Sequence, residues 1–308
     1  MFVKGRKKER GLNKRSKQRG EGERKKTGTT GMSKFKVQRF DPSTLKPHRI
    51  IIVVGKRGTG KSVLLRDLLY HISKRVDFGL GMTPTEESAE MMRSHMPDSW
   101  IYSSFSASKL DHMLNVQREL VKKKAQRSLF VVMDDCMYDK KVLKGVGIRD
   151  LFMNGRHLNV TLLNAVQYVM DMGPDLRTQV DYVFALRENI MCNKSKLWKY
   201  FFGMFDRYDD FCKVMDKCTE DHGCIVMDNT RGTSLSDSIF WYRADIDLPP
   251  FRMGKEVYWK LSDRYRRSQK EIDDMEDELD VLDSVKEKKD AKRISVVHCE
   301  EAARLLHL

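Results

Sequence analysis

An apolar run, Ile50-Ile51-Ile52-Val53-Val54, leads straight into Gly55-Lys56-Arg57-Gly58-Thr59-Gly60-Lys61-Ser62, which continues as Val63-Leu64-Leu65-Arg66-Asp67-Leu68-Leu69-Tyr70. Strand, glycine-rich loop and helix in that order give the pattern GxxxxGK[ST] its meaning. Glycines let the backbone curl until successive N–H groups point inward at phosphate oxygens. The helix start adds unpaired N–H groups and a partial positive charge. Lys61 can then reach the β- and γ-phosphates, and the Ser62 hydroxyl can ligate Mg²⁺. Gly55 to Ser62 are therefore expected to bind a nucleoside triphosphate, and the fold around them should be α/β. The bland alternative is an ordinary glycine-rich turn, which requires neither the lysine nor the flanking elements.

At 308 residues the chain suits one α/β domain with extensions. Its formal net charge of +14 is unevenly placed. Residues 1–34 hold thirteen Lys or Arg against Glu9, Glu21 and Glu23, so they carry +10 and leave +4 for the rest. This segment, nearly free of large apolar residues, is expected to be a disordered basic arm that contacts nucleic acid or an acidic surface. The boundaries expected are 1–34 for the arm, 35–247 for the nucleotide-binding domain and 248–308 for a charged helical extension.

The six cysteines form no CxxC pair. Cys218, His222 and Cys224 lie close together, but their spacing is not that of a familiar zinc site, and reduced thiols are the simpler reading. No apolar run reaches the length needed to span a membrane, and no apolar core follows the basic N-terminal residues as a secretory signal would require.

Along the chain, apolar periodicity predicts a helix from Lys61 to about Arg75 and a strand over Val76–Met82. A helix over Glu86–His95, a short strand at Trp100–Tyr102 and an amphipathic helix over Leu110–Gln126 follow. Ser128–Met133 is a continuous apolar run closing on Asp134, as a buried parallel strand would be. Further strands are expected at Asn159–Ala165 and Asp181–Leu186, then helix to about Lys217. Two late strands, Cys224–Asp228 and Ile239–Arg243, flank a polar turn. Beyond Pro249-Pro250, Ile272, Met275, Leu279 and Leu282 form one apolar stripe on a charged helix. Strands alternating with helices argue for a mostly parallel sheet with helices on both faces.

A phosphate cradle that hydrolyses needs a metal holder and a group to activate water. Asp134 ends an apolar strand, where Mg²⁺ is usually held, and Asp135 follows it. Adjacent strand residues point in different directions, so Asp134 can hold the metal, directly or through water and Ser62, while Asp135 acts as general base. Gln167 lies just past the next strand, within reach of the γ-phosphate if that strand neighbours Val54. Arg156, before the same strand, could reach a neighbouring subunit's phosphate as an arginine finger, with Arg177 and Arg187 as competitors. A surface salt bridge is its ordinary alternative.

The ordered set GKRGTGKS, Thr83-Pro84-Thr85, VVMDDC at Val131–Cys136, NGRHLNV at Asn154–Val160, Gln167, Asp175-Leu176-Arg177 and DYVFALREN at Asp181–Asn189 resembles the poxvirus-type virion DNA-packaging ATPases of large nucleocytoplasmic DNA viruses, within the FtsK–HerA superfamily. The likeness covers about Arg49 to Ala244. It implies a P-loop fold of the additional-strand, catalytic-acid type, with an extra strand between the phosphate-loop strand and the acidic strand. The segment near Trp100–Ser104 is the candidate for that strand. The resemblance also implies ATP hydrolysis with Mg²⁺, a ring homo-oligomer, double-stranded DNA as cargo, and capsid, portal or membrane components as partners. Carried over, Lys61 and Ser62 bind phosphate and Mg²⁺, Asp134 holds the metal, Asp135 is the catalytic acid position and Gln167 the sensor. The setting implied is the virion or its assembly site in the infected cell's cytoplasm. Two other readings stand beside this one: a small-substrate phosphotransferase (kinase) and a nucleotide-dependent interaction module.

Overall fold

The computed structural model describes residues 35–136, 142, 144–167, 173–232 and 234–265. The basic arm and the Ile272–Leu282 stripe lie outside them. The strands in chain order are β1 (Gln38–Arg39), β2 (Ile50–Val54), β3 (Phe78–Met82), β4 (Ile101–Tyr102), β5 (Leu129–Asp134), β6 (Val160–Val166), β7 (Tyr182–Ala185), β8 (Cys224–Asp228) and β9 (Ile239–Tyr242). They form one sheet in the order β1-β9-β8-β7-β2-β6-β5-β3-β4. Every pairing is parallel except those of β8 with β7 and β9, so β8 alone runs against the rest. The helices are α1 (Lys61–Ser73), α2 (Glu86–Arg93), α3 (Ala107–Lys122), α4 (Val146–Asn154), α5 (Pro174–Arg177), α6 (Met191–Phe201), α7 (Tyr208–Cys218), α8 (Leu235–Ser238) and α9 (Glu256–Tyr265).

The continuous apolar runs are explained by two covered faces. Successive strand side chains point to opposite sides. Ile51 and Val53 of β2, with Phe130 and Val132 of β5, meet Leu64, Leu65, Leu68, Leu69 and Ile72 of α1. Ile50, Ile52 and Val54, with Val131 and Met133, face the other way, onto Leu110 and Leu114 of α3, Leu151 of α4 and Phe211 of α7. Each fully buried side chain of this kind contributes roughly 1.5–3 kcal/mol relative to exposure. The sheet is thus a rigid middle layer, and its strand ends are fixed points on which a site can be hung.

The extra strand is not where the sequence suggested. The strand between β2 and β5 is β6, buried along its whole length. The Trp100–Ser104 segment supplies only β4, two half-buried residues at the far edge beside β3. A seven-residue run buried on both faces, largely apolar but for Thr161 and Asn164, suits the middle of a sheet, whereas a two-residue strand can close an edge but not fill a centre. The helix expected from Glu188 to Lys217 is two, α6 and α7, broken where Phe202 and Phe205 turn into the core around Gly203. Past Pro250 the chain packs on the sheet before α9: Met253 N donates to His95 O at 2.7 Å and Lys255 N to Asp77 O at 2.9 Å. Tyr258 then meets Trp100, with ring centroids 5.4 Å apart. No described helix is long and apolar enough to cross a membrane.

Candidate active site

The glycine-rich loop joins β2 to α1 and turns through two left-handed glycines, Gly58 (φ 76°) and Gly60 (φ 94°), a conformation other residues rarely adopt. Thr59 Oγ1 donates to Lys56 O at 2.7 Å, and Gly55 N to Val166 O at 3.0 Å, so the loop is anchored to the end of β6. Val54 pairs with Val166 and with Ala185, and Asp134 with Ala165. Register alone therefore brings Asp134, Asp135, Gln167 and Glu188 to the loop's end of the sheet.

Lys61 is buried and reaches both carboxylates: its Nζ lies 3.1 Å from Asp134 Oδ1 and 2.6 Å from Asp135 Oδ1. Each carboxylate is held from its other oxygen. Ser88 Oγ, near the start of α2, donates to Asp134 Oδ2 at 2.6 Å, and Gln167 Nε2 donates to Asp135 Oδ2 at 2.8 Å. Asp135 sits at φ 53°, left-handed backbone that costs a non-glycine residue energy and that often marks a site where position matters. Its N–H donates to Ala165 O at 2.9 Å, which fixes the turn. The neighbouring Cys136 thiol is pushed up to about 12, first by burial and then by Asp134, so it stays protonated and plays no acid–base part near neutrality.

Within the loop, Lys56 Nζ lies 2.6 Å from Glu188 Oε1. Glu188 also accepts from Ile190 N at 2.7 Å and from Asn193 Nδ2 at 3.0 Å. Burial disfavours its charge, yet these donors together hold its carboxyl below the usual glutamate range.

Of the residues read from the sequence, Gly55–Ser62, Asp134, Asp135 and Gln167 come together here. Arg156 does not. It lies at the opposite end of the sheet, more than half exposed, with Nη2 2.8 Å from Asp181 Oδ1. Arg177 stacks over Tyr200 at 4.0 Å, and Arg187 donates through Nε to Asn189 Oδ1 at 3.2 Å. Cys218 and Cys224 are buried, whereas His222 is exposed beside Gly60, where a β-carbon added to the glycine would lie 3.6 Å from His222 Cβ. Burial pushes the Cys218 thiol up to about 12.

A cavity of about 830 Å³ opens over the loop. The sequence reading missed several of its walls: Thr85 and Ser88 on one side, and Asp221, His222, Arg243 and Ile246 on the other. Ser88 carried no sequence signal, because α2 reaches Asp134 only through the packing of β3 on β5.

A phosphate loop on the central strand, a strand between it and the acidic strand, and a carboxylate pair closed on the loop lysine together define a P-loop ATPase of the additional-strand type. The chain belongs to the poxvirus A32 protein family, whose model matches residues 33–197, a segment that contains the loop, both carboxylates and Gln167. It is 32% identical over 223 residues to uncharacterized protein L437 of Acanthamoeba polyphaga mimivirus, covering 69% of this chain and 78% of that one. It is 36% identical over 221 residues to uncharacterized protein 015R of Frog virus 3 (isolate Goorha), covering 69% and 67%. In fold it is similar to the genome packaging NTPase B204 from Sulfolobus turreted icosahedral virus 2 in complex with AMP. That likeness has a TM-score of 0.50 at 16% identity and covers 66% of this chain and all of the other.

Proposed function

We infer that this chain is a motor that hydrolyses ATP to package a double-stranded DNA genome. The observation that carries the reading is Lys61 held between two carboxylates, one of them clasped by Gln167, in a chain of the poxvirus A32 family. A phosphate-seeking cation and a fixed, partly exposed carboxylate at one strand end are what hydrolysis of a terminal phosphate requires.

The chain's own groups divide the work. The N–H groups of the loop and Lys61 neutralise the phosphates of ATP. Asp135, oriented by Gln167, accepts a proton from the water that attacks the γ-phosphorus, and ADP leaves with the bridging oxygen. Ser88 keeps Asp134 turned toward the loop. The donor set suits Mg²⁺: the hydroxyl of Ser62 and the carboxylate of Asp134 line the cavity over the loop, and Mg²⁺ is usually held by one or two carboxylates together with substrate phosphates. Ser62 and Asp134 would hold it. When bound, it supplies charge neutralisation on the phosphate oxygens.

Arg156 faces away from its own site, so its catalytic role would be in trans, in a ring of identical subunits. Genome packaging is what the structural neighbour's name states of that protein, and it comes to this chain as part of the proposal. Capsid, portal or membrane components would be its partners at the virion assembly site in the cytoplasm. A packaging motor must accept any sequence, so its DNA contacts would be to phosphates, and the +10 arm is suited to them.

The test is ATP hydrolysis by the full chain with and without duplex DNA. Stimulation of phosphate release by duplex of any sequence, weakening as salt rises, is expected. Turnover indifferent to DNA, or transfer of the phosphate to a small acceptor in place of its release, would overturn the reading.

A further inference from the structure

We propose that the turn carrying His222, together with Arg243 and Ile246, is the nucleoside subsite of the cavity and grips the base by its faces. The proposal rests on the ATPase reading and concerns residues beyond the 33–197 segment that the family model matches.

The direction of the substrate follows from the site. Lys61, Asp134, Asp135 and Gln167 define where the terminal phosphate must lie, toward β5 and β6. The rest of the nucleotide has to leave the loop on the other side, over β7, β8 and β9. Because β8 alone is reversed, its first residue, Cys224, lies at the phosphate-loop end of the sheet, as does the last residue of β9, Tyr242. His222 just precedes the one and Arg243 follows the other, so both stand where the nucleoside must pass.

Three further features fit a built wall. Asp221 (φ 46°) and His222 (φ 60°) are consecutive left-handed residues, and neither is glycine. Such strain persists only where the surroundings impose it, and it clusters at ligand clamps. Here it sets the exposed imidazole beside Gly60, where an added β-carbon would lie 3.8 Å from Nδ1. Ile246 is 70% exposed, a large apolar side chain lining the same cavity as the loop. It is not loose, because its carbonyl accepts a hydrogen bond from Arg66 Nη2 on α1, the helix that the loop opens. Arg243 is half exposed, with Nη2 3.3 Å from Asp221 Oδ2, which ties a planar guanidinium to the turn that carries His222, and both side chains line the cavity. A planar cation, an aromatic ring and an aliphatic group are what the faces of a base prefer, and stacking of this kind tolerates any base edge.

The experiment compares two ligands on the full chain by titration calorimetry: ATP, and inorganic tripolyphosphate, which has the phosphates but no nucleoside. Ile246→Ser, at an exposed position, and His222→Asn, which tolerates left-handed backbone, are expected to weaken ATP about tenfold, the scale of a lost stacking contact. Tripolyphosphate affinity should hold within about twofold in both variants, since neither side chain is assigned to phosphate. Equal losses for the two ligands, or undiminished ATP affinity in both variants, would overturn the subsite while leaving the ATPase reading intact. A wild-type chain that binds neither ligand would overturn both.

Discussion

Asp135 is the residue on which the distinction between holding a nucleotide and consuming it turns. It is left-handed, hydrogen-bonded through its N–H to Ala165 and through a carboxylate oxygen to Gln167, and 2.6 Å from Lys61 Nζ. Asp135→Asn keeps the shape, the backbone bond to Ala165 and one oxygen that can accept from Gln167, but cannot take a proton. ATP should therefore still bind, while phosphate release at saturating ATP falls about 10²–10⁴-fold, the usual contribution of a general base. Retained turnover in this variant would move the catalytic role elsewhere. The loop, Asp134, Asp135 and Gln167 were legible in the sequence because each closes an apolar strand, and parallel strands align their ends. Ser88, His222 and Arg243 were not. Ser88 is placed by the packing of α2, and the other two by the reversal of β8, a pairing that no local pattern in Cys224–Asp228 announces.

Among the elements, β3 shows how tightly this sheet is fitted. Gly79 pairs with Phe130 of β5, and a methyl group at Gly79 would lie 2.1 Å from a ring carbon of Phe130. That ring is fully buried and braced by Trp100, with centroids 5.9 Å apart, so it cannot swing clear. Gly79→Ala should cost about 1–3 kcal/mol by overpacking, and Phe130→Leu in the same chain should recover part of the loss. Thermal unfolding of the single and double variants measures both. A neutral Gly79→Ala would mean that the ring has room the structure does not display. The misplacement of the extra strand also belongs at this scale. Trp100–Tyr102 and Val160–Val166 are both largely apolar, and sequence alone does not state neighbours. Length and burial on both faces, known only after folding, put the longer run beside the phosphate loop.

For the whole molecule the question is whether one site is completed by another chain. Arg156 and the phosphate loop occupy opposite ends of the same sheet, so an arginine finger at Arg156 would make each active unit a pair of subunits. Arg156→Ala and Asp135→Asn chains, each nearly inactive alone, should regain hydrolysis when mixed. In an equal mixture about a quarter of the interfaces would join a sound arginine to a sound carboxylate. Mixtures as inactive as their parents would remove Arg156 from the mechanism.

The two ends of the sheet set a condition on any such assembly. Among the described residues, it finishes on β1 at one side and β4 at the other, each of only two residues. Strands so short offer almost no free ladder of N–H and C=O groups to a neighbour. These two edges give sheet extension between copies of this chain little to build on, so a ring assembled through the described residues would be joined by helices and loops, contacts that could slide and re-form between turnovers.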